Sequence, residues 1–170
     1  MPQQCWGGGL FSIWLIVGNL INSFMEEGLF RGLMLILFTV NLPFFQANLL
    51  QAVLFGGWHL PWVIKGLKIG QFKNSGEIIL GTVSNFLPQF FMGAVWGYLY
   101  YRTNSLWAPI ISHTLTNTAL NFIHVRTDDG INNGITIRMG VYVIVMLLGV
   151  FYINKVSSWW NLKNLKINVR

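Results

Sequence analysis

Long apolar runs with almost no charge inside them set the solvent in which this chain can fold. Apolar types make up 54% of its 170 residues and charged types 9%, where a water-soluble domain carries about 25% charged residues. The runs extend from about Leu10 to Val40, Ala47 to Ile64 and Ile78 to Tyr101, then from just after Asn104-Ser105 to Ile123, and from Arg138 to Ile153. None shows strand-like alternation and all are too long for barrel strands, so each reads as helix. The expected fold is all-α: a polytopic transmembrane bundle of about five hydrophobic helices, forming one domain over residues 1–170.

Local breaks refine that outline. At ~1.5 Å per residue, a continuous first helix would overrun a ~30 Å hydrocarbon core. The Glu26, Glu27 and Arg31 interruption therefore predicts a tilt, a bend near Gly28 or two helices. Pro61 and Pro88 fall inside the second and third runs. Asn104-Ser105 is a good capping pair for the start of the fourth, and Glu77 reads as a helix-start residue. Gly93 and Gly97 in GAVWG form a small-xxx-small pattern that suits helix contact.

Composition excludes several classes. A lone Cys5 can build neither a disulfide framework nor a thiolate metal cage. The net charge of +6 comes from basic residues scattered near the ends of apolar runs. That is membrane flanking rather than a nucleic-acid surface. Residues 1–9 contain no Lys or Arg, so no cleavable signal is expected. The tail carries Trp159 and Trp160 as interfacial anchors. If all five runs cross, the basic residues divide evenly between the two sides, and the positive-inside rule gives no orientation.

A charge inside a span costs about 2.5–3.5 kcal/mol on insertion scales, so it marks a functional candidate. In Glu26-Glu27-Gly28-Leu29-Phe30-Arg31, Glu27 and Arg31 lie four apart on one helix face, acid first, the favoured order for an ion pair. Glu26 lies about 100° around the helix. It is expected to face a cavity without a built-in partner, as a general base requires. The bland alternative is a structural pair with a spare solvated acid. His59, in FGGWHLPW, ends an apolar helix before a proline break, and such breaks occur at depth beside cavities. It suits a base, a metal ligand or an orienter, against a plain interfacial histidine. His113 and Asn117, in HTLTN, lie one turn apart on one face. Both can donate to a developing oxyanion, or can simply bond neighbouring helices.

Together, EEGLFR, FGGWH and HTLTN match E-E-x-x-x-R, F-x-x-x-H and H-x-x-x-N, in that order. SLWAPIISH also resembles the run into the second histidine. In these motifs the chain resembles the CPBP intramembrane proteases, which include CAAX prenyl endopeptidases and bacterial Abi or bacteriocin-immunity proteins. The resemblance covers about residues 22–122. It implies that Glu26 with His59 activates a water, that His113 and Asn117 steady the oxyanion, and that Glu27 and Arg31 support them. It favours a metal-free reaction. The alternative is a zinc ion held by Glu26, His59 and His113, although no H-E-x-x-H helix is present. Family members carry several helices before the E-E motif, so the chain is expected to lack N-terminal helices or to borrow them from a partner subunit.

The expected function is an intramembrane endopeptidase of the CAAX-protease type, acting on a peptide or protein near the surface of a prokaryotic cell membrane. The alternatives are a non-catalytic immunity or adaptor protein that keeps the fold, and an ion or proton carrier. No nucleic-acid partner is expected.

Overall fold

The computed structural model describes residues 13–122, together with isolated positions Ile144, Leu148, Gly149, Phe151 and Lys155. Apart from Ile144, Leu148, Gly149 and Phe151, the expected fifth helix lies outside that description, as do His124, Asp128, Asp129, the tail tryptophans and the side chain of Asn121. Among the described residues the chain is all helical.

The first apolar run forms one continuous helical path that changes its winding. Helix α1 spans Ile13–Glu27, a π-helical stretch takes Gly28–Leu35, and α2 takes Ile36–Thr39. The change falls at Gly28, where the charged motif interrupts the apolar run. Wider π winding is uncommon and gathers at functional sites.

Pro43 then leads into α3, Phe44–Trp58. His59 ends that helix, and Pro61 opens α4, Pro61–Lys68, in the first-turn position where a missing N–H costs nothing. Gly70, at a φ of 68°, turns the chain back after α4. This left-handed conformation is one that glycine adopts freely.

Helix α5, Ser75–Thr103, carries Pro88 in its interior. It is the one helix among the described residues long and apolar enough to cross a membrane. Its start is a reciprocal cap. The Asn74 side chain accepts from the Glu77 N–H, and the Glu77 carboxylate accepts from Lys73 N–H and the Asn74 amide. Asn74→Ala should lower stability by about 1 kcal/mol, read as a drop in Tm of the detergent-solubilised protein.

Asn104 plays a different part from the expected one. It adopts left-handed backbone (φ 49°) and closes the C-terminus of α5. Helix α6, Trp107–Phe122, begins only after this turn. An asparagine tolerates left-handed backbone better than most residues, which lets it end a helix as readily as start one.

The core lies between α3, α5 and the π segment, with Phe30, Phe55, Met92 and Trp96 buried together. Gly93 and Gly97 let α5 approach α3 closely. A Cβ at 93 would sit 3.1 Å from the Ala52 Cα, and one at 97 would overlap the Asn48 carboxamide oxygen. The GAVWG pattern thus marks the contact its spacing suggests. Large apolar side chains on the outer faces stay exposed, among them Trp14, Phe24, Leu37, Leu54, Leu80 and Leu115.

Candidate active site

Ser23, Glu27 and Arg31 follow one another at four-residue steps and are all fully buried. Arg31 Nη1 donates to Glu27 Oε1 at 2.9 Å, the pair that the spacing predicts. The second guanidinium arm, Nη2, donates at 2.9 Å to the carbonyl oxygen of Gly93 on α5. Gln51 Nε2 on α3 donates to that same oxygen and to Asn48 Oδ1. The guanidinium also lies over the Phe55 ring, 4.5 Å from its centroid. Arg31 is thus held by a carboxylate, a carbonyl and an aromatic face, which is how a buried cation is tolerated.

His113 enters from α6. Its Nδ1 lies 2.8 Å from Glu27 Oε1. A carboxylate oxygen that already accepts from Arg31 can only accept here too, so the proton belongs to Nδ1. That assignment turns Nε2 toward Glu26, whose Oε2 is 3.7 Å away. The imidazole is stacked on Trp96, with centroids 4.0 Å apart and planes tilted 22°. Trp96 is fixed in turn by its indole N–H, which donates to Ser112 Oγ. Adjacent carboxylates on α1 therefore both meet one imidazole from α6.

Glu26 differs from the expectation of an unpartnered acid facing a cavity. Asn22 Nδ2 donates to its Oε1 at 3.1 Å, because the two residues lie one turn apart on α1. Its Oε2 is sealed from solvent and has no hydrogen-bond partner, as is true of Glu27 Oε2. Each carboxylate thus keeps one buried oxygen with unused accepting capacity.

His59 is half-buried at the end of α3, and its Nδ1 lies 3.0 Å from the Phe55 carbonyl oxygen. A carbonyl only accepts, so Nδ1 carries the proton and Nε2 keeps its lone pair. The two imidazoles flank one ring: Phe55 lies 5.1 Å from His59 and 6.1 Å from His113, edge-on to both. His59 is not within ion-pair distance of Glu26. Asn117 is half-buried one turn beyond His113. Among the described residues no three His, Cys, Asp or Glu side chains gather as a metal ion would require. The Glu26, His59 and His113 donor set is thus not assembled as zinc ligands in this conformation.

A family model described as Type II CAAX prenyl endopeptidase Rce1-like matches residues 8–119. The chain belongs to this family. The Rce1-like match spans all three motifs and every side chain placed above. A Bacillus subtilis (strain 168) protein named "Putative membrane peptidase YdiL" is 26% identical over 104 residues, covering 61% of this chain and 34% of that protein. The Rce1-like chain therefore spans about a third of the length of this relative. No solved structure matches it.

Several residues that shape the site carry no motif signal. Trp96, Gln51 and the Gly93 carbonyl come from helices separated in sequence, and their roles arise only from packing, whereas Phe55 is the leading residue of the F-x-x-x-H motif. Asn22 was legible, since it precedes Glu26 by one turn. The apolar setting of Gln51 was a further hint, because a buried amide needs partners.

Proposed function

We propose that the chain is a multi-pass integral membrane endopeptidase of the CAAX-protease type. It would hydrolyse a peptide bond of a peptide or protein substrate near the surface of a prokaryotic cell membrane. The observation that carries this reading is the His113 imidazole set between the Glu26 and Glu27 carboxylates inside an apolar helix bundle. The exposed apolar outer faces support placement in lipid, and the printed name of the Bacillus relative agrees with it.

In this mechanism Glu26 and His59 share the work of base. Glu26 Oε2 and His59 Nε2 both have accepting capacity to spare, and a water between them would lose its proton as it attacks the carbonyl carbon. The tetrahedral oxyanion forms next to α6, where the Asn117 amide can donate to it, joined by His113 Nε2 when the ring carries a second proton besides the one on Nδ1. Glu27 and Arg31 hold His113 and the start of the π segment in place without touching substrate. The proton taken from water then passes to the leaving amine. No metal takes part in these steps.

Reconstitution of the full chain into liposomes with a peptide library tests the reading. Glu26→Gln and His59→Gln should each cut cleavage by at least about 100-fold, the usual contribution of a general base, with Tm unchanged. Chelator treatment with metal analysis should leave cleavage intact. Normal cleavage by both variants overturns the assignment, and loss with chelator moves the reaction to zinc. One observation favours the non-catalytic immunity or adaptor reading, namely the lack of contact between His59 and Glu26. That reading predicts that a Glu26→Gln, His59→Gln double variant keeps its cellular effect.

A further inference from the structure

The turn between α4 and α5 holds a cleft that the peptidase reading does not use. Its volume is about 390 Å³, and it is lined by Trp62, Lys65, Gly66, Gln71, Phe72 and Asn85, with Ile69 at its edge. Val63 and Gly66 turn α4 toward the protein, while Trp62 and Ile69 stay exposed. Phe72 fixes the cleft wall. It fits against two glycines, where a Cβ on Gly66 or Gly81 would stand 2.7 Å from its ring. The Gln71 N–H donates to the Gly66 carbonyl and completes the turn.

Charge and depth identify what suits this cleft. Lys65, Lys68 and Lys73 crowd the turn, and Glu77 is the acid beside them. The Glu77 carboxylate is already engaged in capping α5. Lys65 Nζ lies 5.2 Å from the Trp62 ring, a pairing suited to the membrane–water boundary. Helix α5, with 29 residues, is roughly 43 Å long at ~1.5 Å per residue and overruns a ~30 Å hydrocarbon core. Centred in such a core, it would carry both ends, its start included, into the headgroup layer. Asn85, ten residues on, lies about 15 Å further along the helix and gives its Nδ2 to the Gly81 carbonyl, leaving Oδ1 free to accept. The cleft thus presents an ammonium at headgroup height, the Gln71 amide beside it and an accepting amide oxygen beneath.

We propose that this cleft binds the headgroup of an anionic phospholipid. Lys65 faces the phosphate, Gln71 and Asn85 meet the glycerol hydroxyl and linkage region, and Trp62 and Ile69 lie along the upper acyl chains. The site rests on the membrane placement but not on the peptidase chemistry.

The test uses the purified full chain in detergent, probed by native mass spectrometry with dioleoyl phosphatidylglycerol and dioleoyl phosphatidylcholine. Wild type should retain the anionic lipid preferentially. Lys65→Gln should reduce that retention about fivefold, the equivalent of ~1 kcal/mol for one lysine at an anionic surface. Asn85→Leu should reduce it too, with a melting curve to show that the variant is folded. Lys163→Gln removes the same charge from the C-terminal tail and should change nothing. Equal retention of both lipids, or an equal loss with Lys163→Gln, overturns the proposal. So does full displacement of lipid by excess glycerol 1-phosphate, which would make the ligand a free phosphate ester. Recovery of the protein in the soluble cell fraction would instead remove the membrane placement itself, so the two failures are distinguishable.

Discussion

Arg31→Leu should destabilise the protein by about 3–5 kcal/mol, the range found when one partner of a buried ion pair is removed. The cost comes from what stays behind. Glu27 is fully buried, and the Gly93 carbonyl, which also accepts from Gln51 Nε2, would lose the cation that donates to it. His113 alone would have to satisfy the Glu27 carboxylate. The double variant Glu27→Leu, Arg31→Leu should recover most of the loss, because two apolar side chains of similar bulk leave no uncompensated charge. It should not recover cleavage, because His113 would have lost the oxygen that orients it. Denaturant unfolding of the wild type and of the three variants, with the two singles completing the cycle, measures this. A single Arg31→Leu variant as stable as wild type would mean that the guanidinium is not buried as described.

Gly97→Ala should give the second large effect, about 2–4 kcal/mol of stability. The added methyl would overlap the Asn48 carboxamide oxygen. Asn48 can give way only by rotating its amide. That motion abandons its bond to the Ala94 carbonyl and the bond it accepts from Gln51. Each buried polar group left unpaired costs about 1–3 kcal/mol. Because Gln51 also bonds the carbonyl that anchors Arg31, cleavage should fall along with Tm. Replacing Asn48 with Ala in the same background should relieve the overlap and restore part of the stability. A Gly97→Ala protein that melts with wild type would show that α3 and α5 can separate at no cost.

The local parts of the site were legible in the sequence. The Glu27–Arg31 pair, the helix end at His59 and the α3–α5 contact at Gly93 and Gly97 follow from spacing within one helix or from one residue's backbone preference, whereas at Gly28 the helix changes its winding. Asn104 went the other way because its own propensity suits both ends of a helix, and only the path of α5 decides between them. Glu26 gained an Asn22 partner that the same spacing rule offered.

The sequence by itself determined that this chain folds as apolar helices with a few costly charges inside them, because charge density and helical spacing are properties of the chain alone. The tertiary structure decided which acid meets which base. His113 and Glu27 are 86 residues apart, and no local rule sets a register between α1 and α6. Their meeting depends on small residues that let helices close in, on the π winding after Glu27, and on Trp96 and Phe55 filling the space around the imidazoles. Such contacts arise between surfaces, and a surface exists only once the helices have packed.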